Sequence, residues 1–168
     1  MATFRLPILN FAAQPGSSGN VWFEPASVGF GSNDRYPHTV AVFKDTSTKD
    51  SLAGKFVVPK NYVGTPKIIV AWSTAATSGD AIFDFDYTAV GGDAAESLDP
   101  SADQQSVTVT DAASGTARQR QECEMALTAA NLAVDDEVLF NFSRDGASSD
   151  TIAASVYVFS LFFQYTDA

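Results

Sequence analysis

One cysteine, one histidine and only ten lysines and arginines stand among the 168 residues. The single thiol, Cys123, rules out an intrachain disulfide and any zinc cluster built from thiolates. It falls in phase with Met125 and Leu127, which predicts a buried, inert sulfur rather than a nucleophile. His38 alone would have to serve a Ser-His-Asp arrangement, and no serine carries the glycine pattern of a nucleophile elbow. A surface or hydrogen-bonded histidine is the expectation. Twenty Asp and Glu leave a net charge of −10, which disfavours nucleic acid, because phosphate binding relies on Lys and Arg. The charge is uneven: residues 1–67 hold seven basic against four acidic side chains, and residues 68–168 hold three against sixteen. The less acidic third suits an acidic protein surface, although ordinary solvated charge is the plainer account. No apolar run approaches the ~20 residues of a membrane span. The stretch Leu6 to Phe11 is short and broken by Pro7 and Asn10, so a secretory signal is not expected either.

What the chain has is apolar material in strand-like alternation. Apolar residues make up 45%, charged residues 18%, and there are 13 Phe, which is the composition of a folded interior. The stretch from Asp135 to Tyr165 organises the rest. Val138, Phe140 and Phe142 share one side of an extended segment, with Leu139, Asn141 and Ser143 on the other. After the turn signal Arg144-Asp145-Gly146, strict alternation puts Tyr157, Phe159, Leu161, Phe163 and Tyr165 together, opposite Val156, Val158, Ser160, Phe162 and Gln164. This last strand has few charges on either side, so it is expected to lie centrally, with Tyr157, Phe159 and Phe163 in the interior.

Earlier segments follow the same pattern. Val21–Glu24, His38–Lys44 and Phe56–Val58 read as short strands, and Asp45 to Asp50 as a surface turn. Lys67–Ser73 is nearly continuously apolar, as in a strand covered on both faces. Ala81–Val90 sets Phe83, Phe85, Tyr87 and Ala89 against Ile82, Asp84, Asp86 and Thr88. Val107 and Val109 point inward from Ser106–Thr110, and Arg118–Leu127 alternates again. Ala126 to Leu132 has room for one helical turn capped by Thr128. The sum is an all-β protein: an antiparallel two-sheet β-sandwich, a jelly roll of about eight strands. Residues 21–168 form the single sandwich domain. Residues 1–20 are either an N-terminal arm or its first strand, with Phe4, Leu6, Ile8, Leu9 and Phe11 as the candidate docking residues.

Other candidates for chemistry are weaker. Asp84 and Asp86 share a strand face and could flank a glycosidic bond, but outward Asp on an alternating strand is ordinarily solvated. Asp93, Glu96, Asp99 and Asp103, and then Asp135, Asp136 and Glu137, invite a calcium reading without matching its loop motif. Trp22 and Tyr36 could form a sugar-stacking platform, whereas Trp72 inside KIIVAWS belongs to the core. No catalytic, cofactor-binding or metal-binding residue is assigned, and no cofactor or enzymatic activity is expected.

The run GKFVVPKNYVGTPKIIVAWSTAATSGDAIFDFDYTAVGGDAAESLD, continued by TVTDAASGTA, LTAANLAVDDEVLFNFSRDG and DTIAASVYVFSLFFQYTDA, resembles small jelly-roll virion proteins of tailed bacteriophages. The resemblance covers Gly54 to Ala168, about two thirds of the chain, and brings no catalytic residues. Such proteins are capsid decoration (cement) proteins, head fibres or tail-fibre tips, commonly trimeric. The resemblance therefore implies a structural virion protein. The leading expectation is a homotrimeric cement protein, made in the host cytoplasm, that binds the major capsid protein on the outer surface of the head. The alternative is a receptor- or carbohydrate-binding module of a tail fibre, with tail proteins or a host surface glycan as partners.

Overall fold

A computed structural model describes residues 1–13, 22–25, 39–45, 49–91, 104–147 and 149–167. The strands are β1 (Thr3–Ile8), β2 (Asn10–Ala13), β3 (Trp22–Pro25), β4 (Thr39–Phe43), β5 (Lys49–Val57) and β6 (Tyr62–Thr74). They continue with β7 (Asp80–Val90), β8 (Gln105–Ala112), β9 (Gln121–Ala126), β10 (Glu137–Asp145) and β11 (Val156–Asp167). One sheet runs β3-β4-β11-β6-β9, with β1 also paired to β11, and the other runs β2-β5-β10-β7-β8. All pairings are antiparallel. The protein is thus an all-β, two-sheet jelly-roll sandwich. The organising stretch supplies the middle of both layers, β10 in one sheet and β11 in the other.

Aromatic side chains fill the space between the sheets. Phe142 packs edge-on against Phe43 with centroids 5.5 Å apart and stacks on Phe83 at 5.6 Å. Phe83 in turn meets Trp72 edge-on at 5.3 Å. Further along, Phe85 stacks on Phe140 at 5.0 Å and Phe56 meets Phe163 at 4.8 Å. Each such pair adds about 0.5–1.5 kcal/mol to the area it buries. Trp72 is fully enclosed, and its indole N–H donates to Asp111 Oδ2 at 2.8 Å. Cys123 faces the same core beside Met125 and Leu127, and burial pushes its thiol up to about 12. A thiol held there is protonated at neutral pH and unreactive. The expected helical turn is a short 3-10 turn, Ala129–Asn131, and the Thr128 side chain makes no capping bond to it.

Three features depart from the sequence reading. In β11 a bulge between Val158 and Ser160 places two residues opposite one on β6. Val156 and Val158 therefore point inward together with Leu161, Phe163 and Tyr165. Tyr157 and Phe159, expected in the interior, instead pack against Val40 and Val42 in a separate cluster. Second, β5 starts at Lys49 and runs nine residues, where the sequence predicts strand only at its end. Third, Arg144 is no turn residue but the last inward position of β10, with its side chain 1% exposed.

Asp50 lies across from Arg144 in the β5–β10 ladder and is also buried. Its Oδ2 accepts the Lys44 backbone N–H at 3.0 Å, and its Oδ1 has no partner among the described residues. Burial pushes the carboxyl above the ordinary aspartate value of 3.8, against the pull of that hydrogen bond and of the Arg144 and Lys44 charges. Below that value both folded and unfolded chains hold the proton. As pH rises, the unfolded chain releases it first, so stability from this group is lost as pH climbs through the raised folded value. Asp50→Asn keeps the neutral form at every pH. The variant is expected to match the parent in strong acid and to exceed it at neutral pH in thermal midpoint. A variant less stable than the parent at neutral pH would contradict this account.

Candidate functional site

The outer faces of the two sheets are finished differently. On the β11 sheet, long side chains close over the surface. Arg5 donates to Gln164 at 2.7 Å and to Glu122 at 2.8 Å, Arg120 also reaches Glu122, and Lys67 pairs with Glu124. The hydrogen bond from Arg5, joined by Arg120, holds Glu122 below the usual carboxylate range. Ile69 and Ala71 lie fully covered in the same sheet. Even here one buried hydroxyl, Ser73 Oγ opposite Tyr157 on β11, has no partner among the described residues.

The outer face of the other sheet is built from small and polar side chains in register. Ser51, Ser143 and Asp84 form one cross-strand row, continued by Thr108 on β8. Ala53, Asn141, Asp86 and Ser106 form the next, followed by Lys55, Leu139 and Thr88. The pleat explains the placement: Phe140 and Phe142 go inward, so Leu139, Asn141 and Ser143 must go outward. Asp84 is not the solvated residue that alternation suggested. It is 6% exposed, 2.7 Å from Lys49 Nζ, and accepts Thr108 Oγ1–H at 2.5 Å. Burial pulls the Lys49 ammonium down, but the hydrogen bond to Asp84 and the charges of Asp84, Asp86 and Asp145 outweigh it and raise it. Asp86 accepts from Ser106 Oγ at 2.6 Å.

Two polar atoms on this face are buried without a partner among the described residues, Asn141 Oδ1 and Ser143 Oγ. A buried polar atom left unpaired costs about 1–3 kcal/mol. A cavity of about 200 Å³ opens beside Asn141, lined also by Asp86, Thr88, Gln104 and Leu139. Acceptors, hydroxyls and a little aliphatic surface around a small cavity are the equipment for holding a hydroxyl-rich ligand.

The other candidate residues are dispersed. Phe4, Leu6 and Ile8 belong to β1, where Phe4 stacks on Tyr165 and Ile8 is buried in the core. Leu9, 80% exposed, stands where the chain crosses from one sheet to the other, and Phe11 pairs with Gly54 in β2. Leu6, Ile8 and Leu9 line a second cavity of about 270 Å³ with Val57 and Phe163. Asp135, Asp136 and Glu137 do not converge: Asp136 Oδ2 accepts the Ala133 N–H and Glu137 pairs with Lys55. Trp22 lies in edge strand β3. Tyr36, His38, Asp93, Glu96, Asp99 and Asp103 lie outside the described residues.

No protein-family model matches the chain, and no curated protein matches it. Solved structures do. A family 11 carbohydrate-binding module of the cellulosomal cellulase Lic26A-Cel5E of Clostridium thermocellum superposes with a TM-score of 0.53 at 10% identity, over 99% of this chain and 95% of that one. The K2 cleaved adhesin domain of Lys-gingipain gives 0.52 at 10% identity, over 98% and 99% of the two chains. A family 11 module from Clostridium thermocellum in complex with a β-1,3-1,4-mixed-linked tetrasaccharide gives 0.50 at 10%, over 96% and 94%. At such identity the likeness is one of fold: the chain is a jelly-roll sandwich of the architecture shared by carbohydrate-binding modules and an adhesin domain.

Proposed function

We propose that this chain is a non-catalytic carbohydrate-binding module that receives a glycan on the outer face of the β2-β5-β10-β7-β8 sheet. The observation that carries the reading is the buried, unpartnered Asn141 Oδ1 set beside Asp86 at a cavity, with a second such atom, Ser143 Oγ, in the next cross-strand row. A sugar hydroxyl can donate to the first and either donate to or accept from the second, which relieves the cost of leaving them unpaired. The fold supports the reading, since modules of this architecture include one captured with an oligosaccharide. The resemblance of Gly54–Ala168 to phage virion proteins adds a setting, a tail-fibre module that holds a host surface glycan. Capsid decoration is the second reading. One observation favours it, the exposed apolar edge formed by Phe4, Leu6, Leu9 and Val57, which suits a protein neighbour such as the major capsid protein or a second protomer of a trimer.

Titration calorimetry against neutral polysaccharides tests the first reading. Asn141→Ala is expected to weaken the glycan that binds by roughly ten- to a hundredfold without lowering the thermal midpoint. Binding that survives Asn141→Ala and Asp86→Ala together would remove this face from the account.

A further inference from the structure

Resting on the binding-module reading, we infer that this face selects uncharged, hydroxyl-rich sugars and turns away acidic ones, and that Asp86 sets the selection. The two carboxylates of β7 are not equivalent. Asp84 is neutralised by Lys49 at 2.7 Å and further held by Thr108. Asp86 receives only the Ser106 hydroxyl among the described residues and has no ion-pair partner there. Lys55, the other cation of this face among the described residues, is committed to Glu137. Among the described residues, the cavity beside Asn141 is therefore lined by one carboxylate and no cation.

Asn141 and Asp86 are direct partners in the β10–β7 ladder. Facing positions of this kind hold their Cβ atoms about 4.5–5.5 Å apart. Their acceptors, Asn141 Oδ1 and the Asp86 carboxylate, thus stand close enough to take hydrogens from neighbouring hydroxyls of one ring. Leu139 and the Thr88 methyl give the aliphatic surface for its C–H groups. A uronate or sialate carboxylate in the same place would meet Asp86 instead of a donor. Like charges set together in a partly desolvated site are strongly disfavoured.

The experiment measures binding of the full chain to paired probes, polygalacturonate and the same polymer with its carboxyl groups reduced to alcohols. A set of neutral polysaccharides (xylan, β-galactan, mixed-linked glucan) is run beside alginate and hyaluronate. The parent protein is expected to bind neutral members and to bind each acidic partner at least about tenfold more weakly. Asp86→Asn, which keeps the shape and removes the charge, is expected to close that gap by about the same factor. Added salt should narrow it too, because screening weakens the repulsion. Equal or tighter binding of acidic glycans by the parent, or a ratio unmoved by Asp86→Asn, overturns the inference while leaving the module reading intact. No binding to any member overturns both.

Discussion

Arg144→Ala is expected to cost about 3–5 kcal/mol of folding stability, the range for breaking a buried ion pair. A domain has about 5–15 kcal/mol in all, so the variant should be partly unfolded at physiological temperature. The reason is the completeness of the arrangement. Arg144 Nε and Nη2 donate to the two oxygens of Asp150, each at 2.8 Å, in a bidentate pair. Nη2 also reaches the Ile152 carbonyl at 2.6 Å and Nη1 the Ala154 carbonyl at 2.7 Å. Asp150 in turn accepts the Ile152 N–H at 3.0 Å and the Ile82 N–H at 3.3 Å. Both side chains are almost wholly buried, at 1% and 2% exposure. The pair fastens the segment between β10 and β11 to the end of the sandwich. Alanine leaves Asp150 charged and the Ile152 and Ala154 carbonyls short of a donor. Arg144→Met with Asp150→Leu should recover much of the loss, since an apolar pair removes both buried charges at once. Urea midpoints measure all three proteins. A loss below about 1 kcal/mol for Arg144→Ala would place the pair among weak surface bridges and contradict the account.

Deleting Phe162 is expected to prevent folding, whereas deleting Phe159, three residues earlier, should leave a folded protein. Phe159 is the extra residue of the β11 bulge: Val158 faces Trp72 and Ser160 faces Ala71, its next neighbour on β6. Without Phe159 the ladder becomes regular as far as Gln164, and Val158, Leu161, Phe163 and Tyr165 keep their inward positions. Among the described residues, the cost falls on its contact with Val40 and Val42. Without Phe162, by contrast, Phe163 and Tyr165 move to the outer face and Gln164 moves in. Exposing each large side chain forfeits about 1.5–3 kcal/mol, and the buried amide adds its own penalty. Circular dichroism and thermal melts of the two deletions decide the matter. Similar damage from both would show that the bulge does not set the faces of β11.

That bulge also marks where the sequence stops being legible. The two central strands, the aromatic interior, the core position of Trp72 and the inert Cys123 all follow from residue type and a period of two. One inserted residue changes neither composition nor length enough to be noticed, yet it exchanges the faces of Tyr157 and Phe159 with those of Val156 and Val158. The first part of strand β5 is missed for a different reason. Its inward positions, Asp50, Leu52, Gly54 and Phe56, include one buried carboxylate and one glycine, so the segment reads as a polar turn. Burial of Arg144 depends on Asp150, six residues on, and on loop carbonyls that no local pattern announces. Of the candidate site, the outward placement of Asp84, Asp86, Asn141 and Ser143 is readable from alternation. That β10 lies between β5 and β7, bringing Ser51 and Ala53 alongside them, is a matter of sheet order, which only the folded structure supplies.

The central claim is that the glycan is held on the outer face of the β2-β5-β10-β7-β8 sheet. Mapping amide shifts of the isotope-labelled protein, titrated with a neutral oligosaccharide that it binds, tests this most directly. The account predicts that the largest shifts fall on Asp86, Thr88, Leu139, Asn141 and Ser143, together with the Asn141 side-chain amide. Shifts confined to Phe4, Leu6, Leu9 and Val57 at the sandwich edge, or to the Arg5–Glu122 face of the opposite sheet, would contradict it.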